Sequence, residues 1–329
     1  MEANVELRFT TSGESLWWFA FNNSPRFDYA ATLCHYTTPE GMKGITKDGK
    51  ITLWFSQYDY LNDTSEGKDI LTQYQYSLHQ LLSERKINKE LFDVFIKLDI
   101  PKERFFAFPD KEPATTIYKE TSYQAFVCSF TTEFDCLPMW NGYVKNGKYS
   151  GYCLEFQGDM FDSLITSFSD DTCAKKNTHN GRMEMYRVLY DNAEKQALLK
   201  SKIIELVKIH EQGANIDAIT RSMKALLQNY QLVFKNHKFA SENEVRAVYY
   251  VSSEAIEDPD VSSPQLLYRP RGDYKIPYIQ ISISDYYCFR KICLCPLKTA
   301  ADKKALTDYL QSNGFPHTEV YLSQIPLQY

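Results

Sequence analysis

No apolar run in this chain of 329 residues reaches the ~18 residues that a helix needs to cross a bilayer. Met1 to Thr10 lacks the basic start and apolar stretch of a secretory signal, so a cytoplasmic protein is expected. Eight cysteines are present, yet none stands in a Cys-x-x-Cys pair. Cys293-Leu-Cys295 has no histidine cluster near it, which argues against zinc and for reduced, buried thiols. Neither sign of charge dominates: the net charge of −5 removes any global electrostatic case for nucleic-acid binding. A local basic patch, or a site for a free nucleotide, stays open. The catalytic templates of Gly-rich phosphate loop, Gly-x-Ser-x-Gly elbow and His-Glu-x-x-His helix are all missing. Cys34 and His35 cannot form a thiol dyad on a strand, because neighbouring side chains point to opposite faces. Internal repeats and low-complexity tracts are absent too.

Aromatic residues are what the chain has in quantity, with 24 Tyr and 20 Phe. They favour a sheet-rich structure and supply flat ring faces, most of them destined for a core. Strands are predicted at 31–38, 51–56, 123–131, 151–156, 185–190, 246–252, 277–283 and 291–295. Pro39-Glu40 after a Thr-rich strand end opens a short helix, and Asp48-Gly49-Lys50 reads as a turn. Helical spacing runs through 67–100, and a helical hairpin spans 193–234 with a break near Gly213-Ala-Asn215. A short helix at 137–143 and another at 300–313 complete the set. Three prolines and many charges at 101–122 predict an irregular connection. The elements do not alternate strictly, so the fold class is α+β. We read residues 1–329 as a single domain, with an N-terminal extension at 1–30 and helical insertions at 67–100 and 193–234.

Four islands could carry chemistry. His35-Tyr36-Thr37 places an imidazole and a hydroxyl on one strand face, suited to ribose hydroxyls or an amide edge. Phe55-Ser56 leads into Tyr58, Tyr60, Asn62, Asp63 and Glu66, where Asp63 and Glu66 also fit plain helix capping. Ser129-Phe-Thr131 offers a hydroxyl pair, followed by Met139-Trp140 and Tyr143. In Ser241-Glu242-Asn243-Glu244-Val245-Arg246, strand alternation puts Glu242, Glu244 and Arg246 on one face. Two carboxylates that close raise each other's proton affinity, and the arginine lowers it again. A surface ion cluster is the alternative at this point.

In order and spacing, these islands resemble an uncharacterised bacterial family of unknown function often encoded in phage-defence or abortive-infection loci. The resemblance extends through Pro138-Met-Trp140, Gly151, Leu154-Glu-Phe156, Phe239, Leu294-Cys-Pro296 and Ser323-Gln-Ile-Pro326, and covers roughly residues 31–329. The layout is also similar to ADP-ribosyltransferases of the His-Tyr-Glu type. That likeness implies a split mixed β-sheet core and NAD as substrate. It would have His35 and Thr37 hold the adenosine ribose, with Ser56, Ser129 and Arg246 lining the site. Glu244 would bond the nicotinamide ribose, and Glu242 would orient or deprotonate an acceptor. Tyr58, Tyr60 and Tyr143 compete to stack on nicotinamide. The implied protein is a toxin or anti-phage effector, with an unknown protein or nucleic-acid acceptor and an antitoxin or defence partner. NAD glycohydrolysis is the close variant. A non-catalytic nucleotide or nucleic-acid sensor, and a phosphodiesterase or nuclease, are the competing readings.

Overall fold

The computed structural model describes residues 27, 32–61, 68–100, 104–109, 118–144, 149–161, 181–253, 256, 264–283 and 285–327. The N-terminal extension, apart from Phe27, and Asn62, Asp63 and Glu66 lie outside the described residues. In chain order the elements are β1 (Thr32–Thr37), α1 (Pro39–Ile45), β2 (Thr46–Lys47), β3 (Lys50–Gln57), α2 (Lys68–Ser83), α3 (Lys89–Phe95), β4 (Arg104–Pro109), β5 (Tyr118–Thr131) and α4 (Leu137–Tyr143). There follow β6 (Tyr152–Gln157), β7 (Gly181–Arg187), α5 (Asn192–Glu211), α6 (Ile216–Gln231), β8 (Glu244–Ser252), β9 (Leu267–Arg271), β10 (Tyr274–Ile283), β11 (Phe289–Leu294), α7 (Ala300–Ser312) and β12 (Glu319–Leu322). The architecture is α+β, with a mixed, largely antiparallel open sheet and several helices.

Local chemistry explains most boundaries. The Thr38 hydroxyl accepts the Gly41 amide at 3.1 Å, and Pro39 fills the first turn of α1. Asp48 (φ 54°) and Gly49 (φ 70°) close the two-residue turn between β2 and β3, the geometry that matches strand twist. Several strands depart from the expectation, β9 and β12 among them as strands the sequence did not announce. The segment 101–122 is not irregular throughout: Arg104–Pro109 forms β4, and β5 begins at Tyr118. Pro109 closes β4, at a strand end where proline is tolerated. The strand expected at 185–190 instead spans Gly181–Arg187, with Met183 and Met185 turned into the core.

The chain divides into two compact units, Met1–Ser24, Asp63–Thr121 and Leu189–His237 forming one, and Pro25–Asn62, Ser122–Val188 and Lys238–Tyr329 the other. The stretches read as separate helical insertions therefore pack together within one unit, where α2 lies against α5 and α6. The Lys195 ammonium is fully buried there, donating to Asp69 at 2.5 Å and to the Lys235 carbonyl at 2.6 Å. Gln196 and Gln73 extend the same polar seam. A buried cation without such partners would be strongly destabilising.

In the second unit β5 organises the sheet. Its 123–131 segment pairs with β8 along one edge, from Tyr123↔Ser252 to Thr131↔Glu244. The other edge is shared. β1 meets it only at Cys34↔Thr131, and β3 only at Ser56↔Val127 and Gln57↔Phe126. On their other edges β1 pairs with β6, which leads on to β11 and β12, and β3 pairs with β10, which leads on to β9. The sheet therefore forks at Ser129. One face packs a large apolar core of Leu33, Phe55, Phe126, Phe130, Phe156 and their neighbours. The opposite face, over β1, β6 and β11, carries a second cluster capped by Trp140 of α4.

Candidate functional site at the fork of the sheet

Ladder alternation fixes what the fork contains. Paired residues in antiparallel strands share a face, and successive residues alternate. Cys34, Thr131, Glu244, Ser129, Arg246 and Ser56 thus share one face, whereas His35 and Thr37 belong to the other. Where two strands diverge, side chains of both faces border the opening. His35 does so here: its Nδ1 lies 3.0 Å from the Ser129 carbonyl, in the gap that neither β1 nor β3 fills. A carbonyl only accepts, so Nδ1 carries the proton, and in the neutral ring Nε2 is the unprotonated nitrogen. Burial lowers the imidazole pKa, outweighing the bond to Ser129, which raises it. The ring also sits 5.6 Å from that of Phe130. Thr37 is placed differently, against α1. A Cβ built on Gly41 would come within 2.1 Å of the Thr37 hydroxyl oxygen.

The charged island is split by backbone geometry. Glu242 ends a 3-10 turn at His237–Glu242, and Asn243 has φ 39°, so the strand starts only at Glu244. The left-handed residue breaks the alternation, and Glu242 does not join Glu244 and Arg246 on a strand face. Asn243 is held in place as its amide donates to the Glu133 carboxylate at 2.7 Å. Glu244 and Arg246 do share a face, and both are buried. Arg246 donates through Nε to one carboxylate oxygen at 2.8 Å and through Nη2 to the other at 3.2 Å. A forked guanidinium–carboxylate pair of this kind fixes both groups. Arg246 stands directly across from Ser129, and Glu244 directly across from Thr131, so the pair borders the fork one strand away.

On the β3 side, Ser56 accepts a hydrogen bond from Arg269 of β9 at 2.8 Å. Tyr58 is buried just beyond the strand, while Tyr60 and Tyr143 keep exposed rings. Arg269 escapes sequence reasoning because its partner is distant in the chain and Pro270 disguises the edge strand. Glu184 is a second omission. It is a buried carboxylate on β7, directly across from Val248 and on the face of Arg246. Its alternation with Met183 and Met185 is the signal that could have found it.

Among the described residues, no group of three His, Cys, Asp or Glu is placed to hold a metal ion, and no helix is long and apolar enough to cross a membrane. Residues 139–247, from α4 to the middle of β8, match a family described as "Protein of unknown function (DUF2971)". That stretch includes Glu244 and Arg246 and leaves out β1, β3 and β9. No curated protein and no solved structure matches the chain.

Proposed function

We propose that the protein consumes NAD at the fork, as an ADP-ribosyltransferase-like effector of a bacterial toxin or anti-phage system. The observation that carries this reading is the fork itself: β1 and β3 leave one edge of β5 on either side of Ser129, with His35 inside the gap and the Glu244–Arg246 pair bordering it. The neutral His35 ring keeps Nε2 as an acceptor for a ribose hydroxyl. In the reaction the bond between ribose C1′ and nicotinamide breaks, and nicotinamide leaves with the electron pair. An acceptor nucleophile then bonds C1′ and loses its proton to a base. The ribose becomes cation-like on the way, and a fixed carboxylate gains strength as that charge develops. Glu244, held by Arg246, is the group we assign to this task. Glu242, in the turn before β8, takes the acceptor side.

Purified protein and its Glu244→Gln variant would be incubated with isotopically labelled NAD in bacterial lysate, following nicotinamide release and label on macromolecules. Turnover by wild type should fall about 10²–10³-fold in the variant, the usual loss for one electrostatic group at a developing charge. Free ADP-ribose without labelled acceptor would identify glycohydrolysis. Wild-type protein that leaves NAD untouched would overturn the proposal.

A further inference from the structure

On the face that carries Ser56, the wing of the sheet formed by β3, β10 and β9 displays a strip of rings and cations. Trp54 stacks on Tyr278 with centroids 4.5 Å apart and an interplanar angle of 26°. The Arg269 guanidinium lies 5.8 Å from the Trp54 ring and 5.9 Å from that of Tyr278. Register continues the strip to Arg271, paired with Tyr274 at the β9–β10 turn. Both end rings are open to solvent, Trp54 at 40% and Tyr274 at 50% exposure.

Three features make this more than a cross-strand aromatic pair. Burial, and beside it the neighbouring cation Arg271, lower the proton affinity of Arg269, and among the described residues no carboxylate contributes to that shift. Two like charges at i and i+2 on one strand face repel each other, and an anion between them relieves that repulsion. Arg271 is steadied as it donates to the Tyr60 carbonyl at 3.4 Å, which aims it without neutralising it. The strip also runs the six residue steps from Tyr274 to Gln280, the partner of Trp54, or about 20 Å at strand rise. That is longer than one base with its phosphate.

We infer that this strip binds single-stranded nucleic acid, with bases stacking on Trp54 and Tyr274 and phosphates meeting Arg269 and Arg271. Stacking rings beside guanidinium groups suit any base, because every base has a π face. The inference goes beyond NAD consumption and is read without NAD.

The test is fluorescence polarisation of a labelled twelve-residue oligothymidylate with the full chain over a series of salt concentrations. Trp54→Ala should weaken binding about 5- to 150-fold, the usual range for one lost stack. Arg271→Ala should lower the magnitude of the log–log salt slope by about 0.7, one phosphate contact on a single strand. Thermal melting of each variant shows whether it is folded, and the surface variant Arg271→Ala keeps the test decisive if Trp54→Ala is not. Several results would overturn the inference: no binding at low salt, variants that bind as wild type does, or AMP competing as well as the oligonucleotide. Equal binding of a polyglutamate peptide would overturn it too, by leaving only charge.

Discussion

His35 shows how burial can outweigh a hydrogen bond in deciding a chemical state. Its folded pKa lies below the usual histidine value because burial disfavours the imidazolium. The unfolded chain therefore binds more protons in the window between the two values. Stability from this group is complete above about pH 6.5 and is lost as pH falls towards the lower, folded value. Denaturant midpoints measured from pH 7.5 down to 5 should fall more steeply for wild type than for His35→Gln. The difference should be at most about 1.4 kcal/mol per pH unit, the limit for one proton. Parallel curves would show that the ring titrates as if solvated. Residues differ in how far sequence reveals them. The pairing of Glu244 with Arg246 is legible, since alternation alone puts i and i+2 together. Exclusion of Glu242 is not, because it depends on one left-handed φ at Asn243. Arg269 is invisible for a different reason: its bond to Ser56 spans 213 positions.

Among elements, α4 owes its place to a single side chain before it. Asp135 has φ 52°, and its carboxylate accepts from Trp140 Nε1 at 2.8 Å, Ser323 Oγ at 2.6 Å and the Gln324 amide at 2.7 Å. It thereby ties the loop after β5 to the helix and to the segment after β12. Tyr36 adds a second tie, donating to the Glu133 carbonyl at 3.0 Å and accepting the Cys136 amide at 2.8 Å. Asp135→Ala should cost about 2–4 kcal/mol in denaturant unfolding, since it loses three bonds to a charged acceptor and strains a non-glycine φ. Asp135→Asn should cost less, because asparagine keeps an acceptor and tolerates the left-handed region. Equal losses would show that charge, and not geometry, is what α4 requires. Elements with strong local signals are readable: the Thr38 cap and Pro39 announce α1, and Gly213 (φ 105°) with the Asn215 cap separates α5 from α6. β9 and β4 are not, because proline at a strand end or sheet edge looks locally like a break.

At the scale of the whole molecule, the α+β class follows from element order, but the fork does not. Nothing local in β1 or β3 states that both strands join the same edge of β5 and then part. That arrangement follows from long-range pairing, in which β1 and β3 reach β5 at different residues and carry β6 and β10 on their other edges. The grouping of 63–121 with 189–237 into one unit is likewise a matter of tertiary contact, sealed by the buried Lys195. What the fork adds is a place where the sheet interior opens between fixed polar groups. The central claim is that a dinucleotide occupies it. Hydrogen–deuterium exchange of Glu244→Gln protein, with and without NAD, tests this directly, because the variant leaves the ligand intact. The account predicts slower exchange on NAD addition in peptides covering 33–37 and 126–131, the β1 side and the base of the opening. Unchanged exchange in both segments at saturating NAD would contradict it.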